Sequence, residues 1–386
     1  MVDCENVALG FLADSSDFDP VAYLNKYDDL AHLSDEGLES HWHNHGKAEG
    51  RTCYGPSRKD FLLAGITKDQ FGLEIAPYFR PLLPKSSGYN VKTLDVYDRE
   101  RLSELARSDV AIPNELVSSI EDVDYVGSAS SLAEVISNHI QPGSLNYIIS
   151  SHNFEHLPNP IKFLREASHY LSDAGSLRMA IPDLRCCFDF YQWPTALTEW
   201  LQAYATDKSR PSPFDIFRHN HLMVNNFGFL AFPREGIELQ NLPEELYSRL
   251  LASIEKPSAL YEDVHCSFFV PASFELLIGE LRLLGLTDLM VNSISGPHGN
   301  EFFVTLVKSS VVDETDSLKL EVNGKRKELL SKLNREIALK AYEYEALDAS
   351  FPVKRLSVHE RASSSSGPSW FLRLFRKLRN LWSTRV

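Results

Sequence analysis

Apolar strand patterns alternate with helical patterns between residues 57 and 310, and this alternation constrains the fold more than any other feature. A helical face formed by Phe163, Leu164, Ala167 and Leu171 separates two of the strand patterns. Because strands that alternate with helices need crossover connections, we predict an α/β fold with a doubly wound, mostly parallel sheet. Strand patterns cover residues 70–76, 89–96, 125–126, 145–151 and 176–181.

The end of this region follows a different pattern. A helix is predicted over residues 271–284, and strand patterns cover residues 289–294 and 301–307, with a Gly-Pro-His-Gly turn between them. Two strands joined by so short a turn pair in antiparallel fashion. We therefore expect seven strands in all, with an antiparallel C-terminal hairpin at one edge of the sheet.

Composition divides the 386 residues into four parts. Residues 1–56 are predicted to form a small helical N-terminal module, and residues 57–310 the α/β domain. Residues 311–368 read as a charged helix and a flexible linker that contains four consecutive serines. Residues 369–386 form a basic amphipathic helix. A hydrophobic content of 43% is ordinary for a globular chain of this length.

Charge and cysteine usage exclude several classes of protein. The net charge of -14 argues against a nucleic-acid partner, because phosphate binding needs a basic surface. The five cysteines show no paired spacing. Of His41, His43 and His45, the first and last share a helical face but lack a third ligand placed as in zinc motifs, so we expect neither disulfides nor a metal ion. With no signal peptide and no long apolar run, the chain is expected to be cytoplasmic.

Polar or small residues follow each predicted parallel strand, where open α/β sheets bind their ligands. Asp95 stands 21 positions after Glu74, a spacing that suits a carboxylate that accepts ribose hydroxyls. We expect the turn at residues 74–77 and Asp95 to converge on one nucleoside crevice. The candidate ligand-binding residues are Glu74, Ala76, Pro77, Asp95, Ser128, Ser151 and His152.

Several segments resemble the class I methyltransferases, which use S-adenosylmethionine. The segments are LEIAPYFRPLLPK (73–85), TLDVYD (93–98), residues 147–183, residues 188–220 and residues 269–308. The resemblance implies that Asp95 holds the ribose and that the turn at Ala76 approaches the methionine part. It places Ser128 at the adenine edge, and Ser151 and His152 at the methyl-bearing end. Glycine is expected where Ala76 stands, and alanine is strained there if φ is positive.

A second resemblance concerns residues 18–51, which are similar to a short module attached to glycan-related enzymes. It implies a sugar or glycan-linked methyl acceptor in surface polysaccharide biosynthesis. A hydroxyl acceptor calls for a general base, and the candidates are His152, His219 and His265. The alternative is a non-catalytic scaffold in a glycan-assembly complex. A nucleotide-dependent oxidoreductase is disfavoured, because GxGxxG after the first strand is absent.

The tail at residues 369–386 places apolar side chains on one helical stripe and arginine or lysine on the other face. This pattern is typical of an interfacial helix drawn to anionic lipid, which would make the protein peripheral to the inner membrane face. The alternative is a helix that docks on a partner protein or on the chain's own core.

Overall fold

A computed structural model describes residues 33–46, 58–309 and 323–338, with short gaps at 110–111, 113, 227–228, 231–236, 257–260, 297 and 299, and four single residues near the N-terminus. All of these residues belong to the first of two compact units, Met1–Lys340. The described residues contain ten strands: β1 (Gly72–Ile75), β2 (Val91–Asp95), β3 (Tyr125–Val126), β4 (Leu145–Ser151), β5 (Leu171–Pro182), β6 (Val224–Asn226), β7 (Phe229–Leu230), β8 (Ile237–Leu239), β9 (Leu289–Ile294) and β10 (Glu301–Lys308).

Seven strands form the central sheet in the order β3-β2-β1-β4-β5-β10-β9. The strands β1 to β5 pair in parallel, whereas β10 is antiparallel to both β5 and β9. The predicted fold class is therefore confirmed, including the antiparallel final pair. The pair lies at one edge of the sheet, where β10 is next to β5 and β9 is the outermost strand.

Ten α-helices lie among the described residues: α1 (Asp35–His41), α2 (Arg58–Leu62), α3 (Arg99–Ser108), α4 (Asn114–Val117), α5 (Leu132–Ile136), α6 (Pro160–Tyr170), α7 (Leu197–Ala205), α8 (Pro213–His221), α9 (Pro243–Glu255) and α10 (Pro271–Leu283). Residues 323–338 are also helical. Local sequence explains where α6 begins, since Asn159 caps it by accepting a hydrogen bond from the Lys162 amide and Pro160 occupies its first turn.

An aromatic cluster in the core fixes the turn that follows β4. Phe154 lies in this turn, and its ring packs edge-on against Trp200 of α7 at 5.8 Å and Phe274 of α10 at 5.6 Å between ring centroids. Phe269 completes the cluster at 5.9 Å from Phe154. Buried aromatic side chains of this size dominate core energetics, so the residues next to Phe154 are held firmly.

The long segment between β5 and α10 lies outside the repeating strand–helix pattern. It contributes α7, α8 and α9, and the three-stranded sheet β7-β6-β8. Backbone amides of Cys266 and Ser267 donate to the Glu155 carbonyl oxygen at 2.7 and 3.1 Å, which fastens the end of this segment to the turn after β4. No helix in the described part of the chain has the length and apolar character that a membrane crossing requires.

The described part of the N-terminal module has a small core of its own. Tyr23, Leu30, Leu38 and Trp42 are buried together, and Ser34 caps α1 as its side chain accepts from the Gly37 amide. A helix in this stretch was expected, and its last turn continues as a π-helix over Trp42–Gly46. The tail at residues 369–386 lies outside the described residues.

Candidate functional site

Three non-glycine residues with positive φ surround the carboxyl ends of the central strands. Ala76 follows β1 with φ of 52°, Tyr78 lies two residues further on with 48°, and His152 follows β4 with 47°. Residues held in this left-handed region are uncommon and cluster at binding and catalytic sites. Ala76 therefore adopts the backbone conformation for which glycine was expected, and its amide donates to the Leu94 carbonyl at 2.8 Å.

Asp95 ends β2 with only 4% of its surface exposed. The Val96 amide donates to Asp95 Oδ1 at 2.7 Å, while Oδ2 accepts no hydrogen bond from the residues that the structure describes. Burial raises the pKa of this carboxyl to about 6, against the opposing effect of the amides of Val96, Tyr97 and Tyr78. The turn after β1 therefore faces Asp95, as the sequence predicted, and a buried acceptor oxygen is left for a ligand that donates.

Glu74 supports this turn from below. Its two carboxylate oxygens accept hydrogen bonds from the amides of Leu82 at 2.7 Å and Leu83 at 3.1 Å. Burial raises the pKa of Glu74 to about 7. Since both oxygens already have partners, the side chain positions the segment after β1, and contact between Glu74 and a cofactor stays a prediction.

The other predicted binding residues lie at the same edge. The Pro77 carbonyl accepts from the Arg80 amide and closes the turn after β1. The Gly127 amide donates to the Asp95 carbonyl at 2.8 Å, which brings Ser128 next to Asp95. Ser128 is exposed, and Ser151 is half-buried at the end of β4.

A groove of about 670 Å³ opens beside this edge, and Asp95 does not line it. Its walls include Phe79, Arg80, Lys85 and Arg99.

His152 is held between carboxylates. Its Nε2 lies 2.7 Å from Glu301 Oε2 and 3.4 Å from the guanidinium of Arg58, and its Nδ1 lies 3.6 Å from Glu155 Oε1. Burial lowers the pKa of this imidazole, but the two carboxylates outweigh burial and raise the pKa to about 9. An imidazole that is protonated at neutral pH cannot accept a proton, so the geometry favours a positioning role over that of a base.

The two other candidate bases, His219 and His265, lie together on the far side of the turn after β4. The backbone amide of His265 donates to His219 Nδ1 at 3.2 Å, and both side chains are buried. Burial, followed by the neighbouring His265, lowers the pKa of His219 to about 4. His265 Nδ1 lies 2.7 Å from Asp189 Oδ2, so Asp189 orients the ring and leaves Nε2 as the free nitrogen.

Sequence reasoning missed the carboxylates of this cluster. Asp189 and Glu155 are each 1% exposed, although neither follows a strand directly. For His156 the sequence leaves capping or packing and a chemical role equally open, and its ring lies 4.7 Å from that of His265 between centroids. A usable signal was the pair Glu155-His156, because a charged dipeptide that stands between the apolar residues Phe154 and Leu157 is drawn towards the core with them.

The strand order, the single antiparallel strand and the edge that carries Asp95 together define a Rossmann-like α/β protein. This sheet is consistent with the methyltransferase fold that the sequence resembles.

No protein-family model matches the chain, and no curated protein matches it. Among solved structures, the chain is similar to a Rhodobacter sphaeroides protein described as a Zn-dependent alcohol dehydrogenase, with 12% identity over 70% of this chain and 98% of that one and a TM-score of 0.36. It is also similar to the CcbJ methyltransferase from Streptomyces caelestis, with 10% identity, coverages of 66% and 97%, and a TM-score of 0.33. A SAM-dependent methyltransferase from Aquifex aeolicus gives 13% identity, coverages of 68% and 93%, and a TM-score of 0.30. At these values the fold class rests on the strand order of the sheet itself.

Proposed function

We propose that the protein is an S-adenosylmethionine-dependent methyltransferase. The observation that carries this proposal is the buried, unpartnered Oδ2 of Asp95 at the end of β2, one strand away from the point where the strand order reverses. A carboxylate in this position suits the two hydroxyls of a ribose. When bound, the cofactor supplies an electrophilic methyl group on a sulfonium centre.

The chain's own residues would divide the binding work. Asp95 accepts the ribose hydroxyls, and the backbone of the turn at Ala76 and Pro77 approaches the methionine part. Ser128 lies where the adenine edge falls. Ser151 and His152 lie at the methyl-bearing end, where the charged ring of His152 anchors the loop after β4 to Glu301.

The acceptor that we propose is a hydroxyl of a sugar or glycan-linked molecule. This part of the proposal rests on the resemblance of the N-terminal module to one attached to glycan-related enzymes. Transfer to a hydroxyl breaks the S–CH₃ bond, forms an O–CH₃ bond and leaves S-adenosylhomocysteine, while the hydroxyl proton departs on the acceptor side. Alignment and electrostatics are what a protein contributes to such a displacement.

Binding of S-adenosylhomocysteine to an Asp95→Asn variant tests the cofactor assignment. Hydrogen bonds to a charged group contribute about 1.5–3 kcal/mol, so we expect the affinity to fall roughly 10- to 100-fold in a calorimetric titration. Asp98→Asn is the matched control, because Asp98 caps α3 from the same loop and asparagine caps equally well. Native protein that binds no S-adenosylhomocysteine would refute the proposal.

The second candidate is a non-catalytic scaffold with the same fold. It is favoured by the left-handed backbone of Ala76 and by the protonated state of His152, which removes one candidate base. Tight binding of S-adenosylhomocysteine without methyl transfer to any hydroxyl acceptor would support this alternative. A thermal-shift comparison of S-adenosylhomocysteine with NAD distinguishes the methyltransferase and the scaffold from an oxidoreductase, because the ligand that binds raises the melting temperature.

A further inference from the structure

The geometry points to a binding site for a divalent transition-metal ion formed by Glu155, His156 and His265. One ligand atom from each of these residues lies within 4.8 Å of the other two. The three residues come from the turn after β4 and from the segment that precedes α10. This assignment does not depend on the methyl-transfer proposal, since it is tested by metal binding alone.

Glu155 gives the strongest indication of a bound ion. It is 1% exposed, and neither of its carboxylate oxygens accepts a hydrogen bond within the part of the chain that the structure describes. The nearest imidazole nitrogens, His152 Nδ1 at 3.6 Å and His156 Nε2 at 3.7 Å, lie beyond hydrogen-bond distance. A buried carboxylate that accepts no hydrogen bond is costly, and a metal ion would add to the long ion pair that Glu155 already makes with His152.

Each histidine lies beside a second carboxylate. His156 Nδ1 lies 2.8 Å from Asp263 Oδ1, and His265 Nδ1 is hydrogen-bonded to Asp189 Oδ2 at 2.7 Å. A carboxylate that bonds to one ring nitrogen fixes the tautomer in which the other nitrogen carries the lone pair. Nε2 of His265 is therefore the nitrogen left to coordinate, and Nε2 of His156 is the one that approaches Glu155 at 3.7 Å.

Two imidazoles and one carboxylate form a ligand set of known chemistry. Such a set coordinates Zn²⁺ in catalytic sites that keep a fourth position for water or a ligand oxygen. It also coordinates Fe²⁺, as a facial triad. Asp189, His219 and His265 form a second group of similar compactness. That group is the weaker candidate, because His219 Nδ1 and Asp189 Oδ2 already bond to His265.

The test is metal binding by full-length protein that has been stripped with a chelator. Titration with Zn²⁺ is expected to show one tight site, and Co²⁺ is expected to give visible d–d absorption that Zn²⁺ then displaces. His156→Ala and Glu155→Gln should weaken Zn²⁺ binding at least tenfold. His169→Ala is the matched control, since this histidine is exposed on α6 and should bind as the native protein does.

Asp263→Asn gives an independent readout, because Asp263 is exposed and its loss leaves the core intact. Loss of an orienting carboxylate typically weakens metal binding 10- to 100-fold, and that is the range expected here. Circular dichroism would confirm that each variant is folded. The assignment is overturned if the stripped protein takes up no stoichiometric ion, or if folded His156→Ala and Asp263→Asn both bind Zn²⁺ as tightly as His169→Ala does.

Discussion

The backbone of Ala76 has a φ of 52°, a conformation that alanine rarely adopts because its Cβ approaches the following carbonyl. The conformation persists because the Ala76 amide bonds to Leu94 and because Glu74 holds the segment that follows at Leu82 and Leu83. At this single residue, surrounding hydrogen bonds override local preference, which is the usual situation at a binding edge.

Ala76→Gly should stabilise the protein. A left-handed alanine costs about 1–2 kcal/mol, and the extra flexibility of an unfolded glycine offsets about 0.5–1 kcal/mol of the gain. We expect the free energy of unfolding to rise by roughly 0.5–1 kcal/mol in urea titrations. Ala133→Gly, within α5, is the control and should lower the same quantity by a similar amount. If both substitutions lowered the free energy of unfolding equally, Ala76 would not be strained.

The buried carboxyl of Glu74 should make stability depend on pH. Burial raises its pKa from 4.5 to about 7, so the folded protein holds this proton where the unfolded chain has released it. The contribution of the protonated Glu74 carboxyl to the free energy of unfolding is therefore complete below about pH 4.5. It is lost as the pH rises to about 7, and the loss is on the order of 3 kcal/mol.

Unfolding of native protein and Glu74→Gln, measured from pH 4.5 to 7, tests this sign. In Glu74→Gln the free energy of unfolding should lack the decline that release of the Glu74 proton causes, whatever the absolute stability of the variant. Glu104→Gln is a suitable control, because the Glu104 side chain is 63% exposed. Parallel profiles for the native protein and Glu74→Gln would show that the native carboxyl does not retain its proton.

At the scale of elements, close contact between β1 and β4 determines how the edge is built. A Cβ on Gly72 would lie 2.0 Å from the ring of Tyr147, so β1 can pack here only without a side chain. Tyr147 stands opposite Gly72 in the parallel register, and its ring fills the space that glycine leaves. This contact places the end of β1, and with it Ala76, next to the end of β4.

Gly72→Ala should therefore destabilise the protein by about 1–3 kcal/mol through overpacking. In a Tyr147→Leu background the same substitution should be close to neutral, and this non-additivity is the readout of a double-mutant cycle in urea. Gly279→Ala on α10 is the control, since its Cβ would meet no atom within 4 Å. That change should stabilise the helix by about 0.5–1 kcal/mol.

At the scale of the whole molecule, charge is distributed unevenly. The chain carries a net charge of -14, while its last segment is basic. An acidic protein with one basic, apolar-striped end is expected to approach an anionic surface with that end alone, because the rest of the molecule is repelled.

Deletion of residues 369–386 should abolish co-sedimentation with vesicles that contain anionic lipid and should leave the folded domain unchanged. Replacing Arg373, Arg376, Lys377 and Arg379 by glutamine is the companion variant, and it should weaken binding in proportion to the anionic lipid content. Sedimentation of the truncated protein to the same extent as the full chain would exclude a lipid role for the tail.

Local pattern was sufficient to predict the sheet. Apolar strand patterns located β4 over Leu145–Ser151 and β9 over Leu289–Ile294. The positions of these strands follow from the order of residues along the chain. That the turn after β1 and Asp95 form one nucleoside crevice stays a prediction.

Tertiary structure alone decided which side chains meet beyond β4. Asp189 and His265 are 76 residues apart, and His152 and Glu301 are 149 residues apart, so no local pattern relates them. The insertion after β5 returns to the sheet and closes over Glu155, which brings carboxylates and imidazoles out of water together. Long-range packing sets their burial and their protonation, and the chemistry of that cluster is therefore a property of the fold.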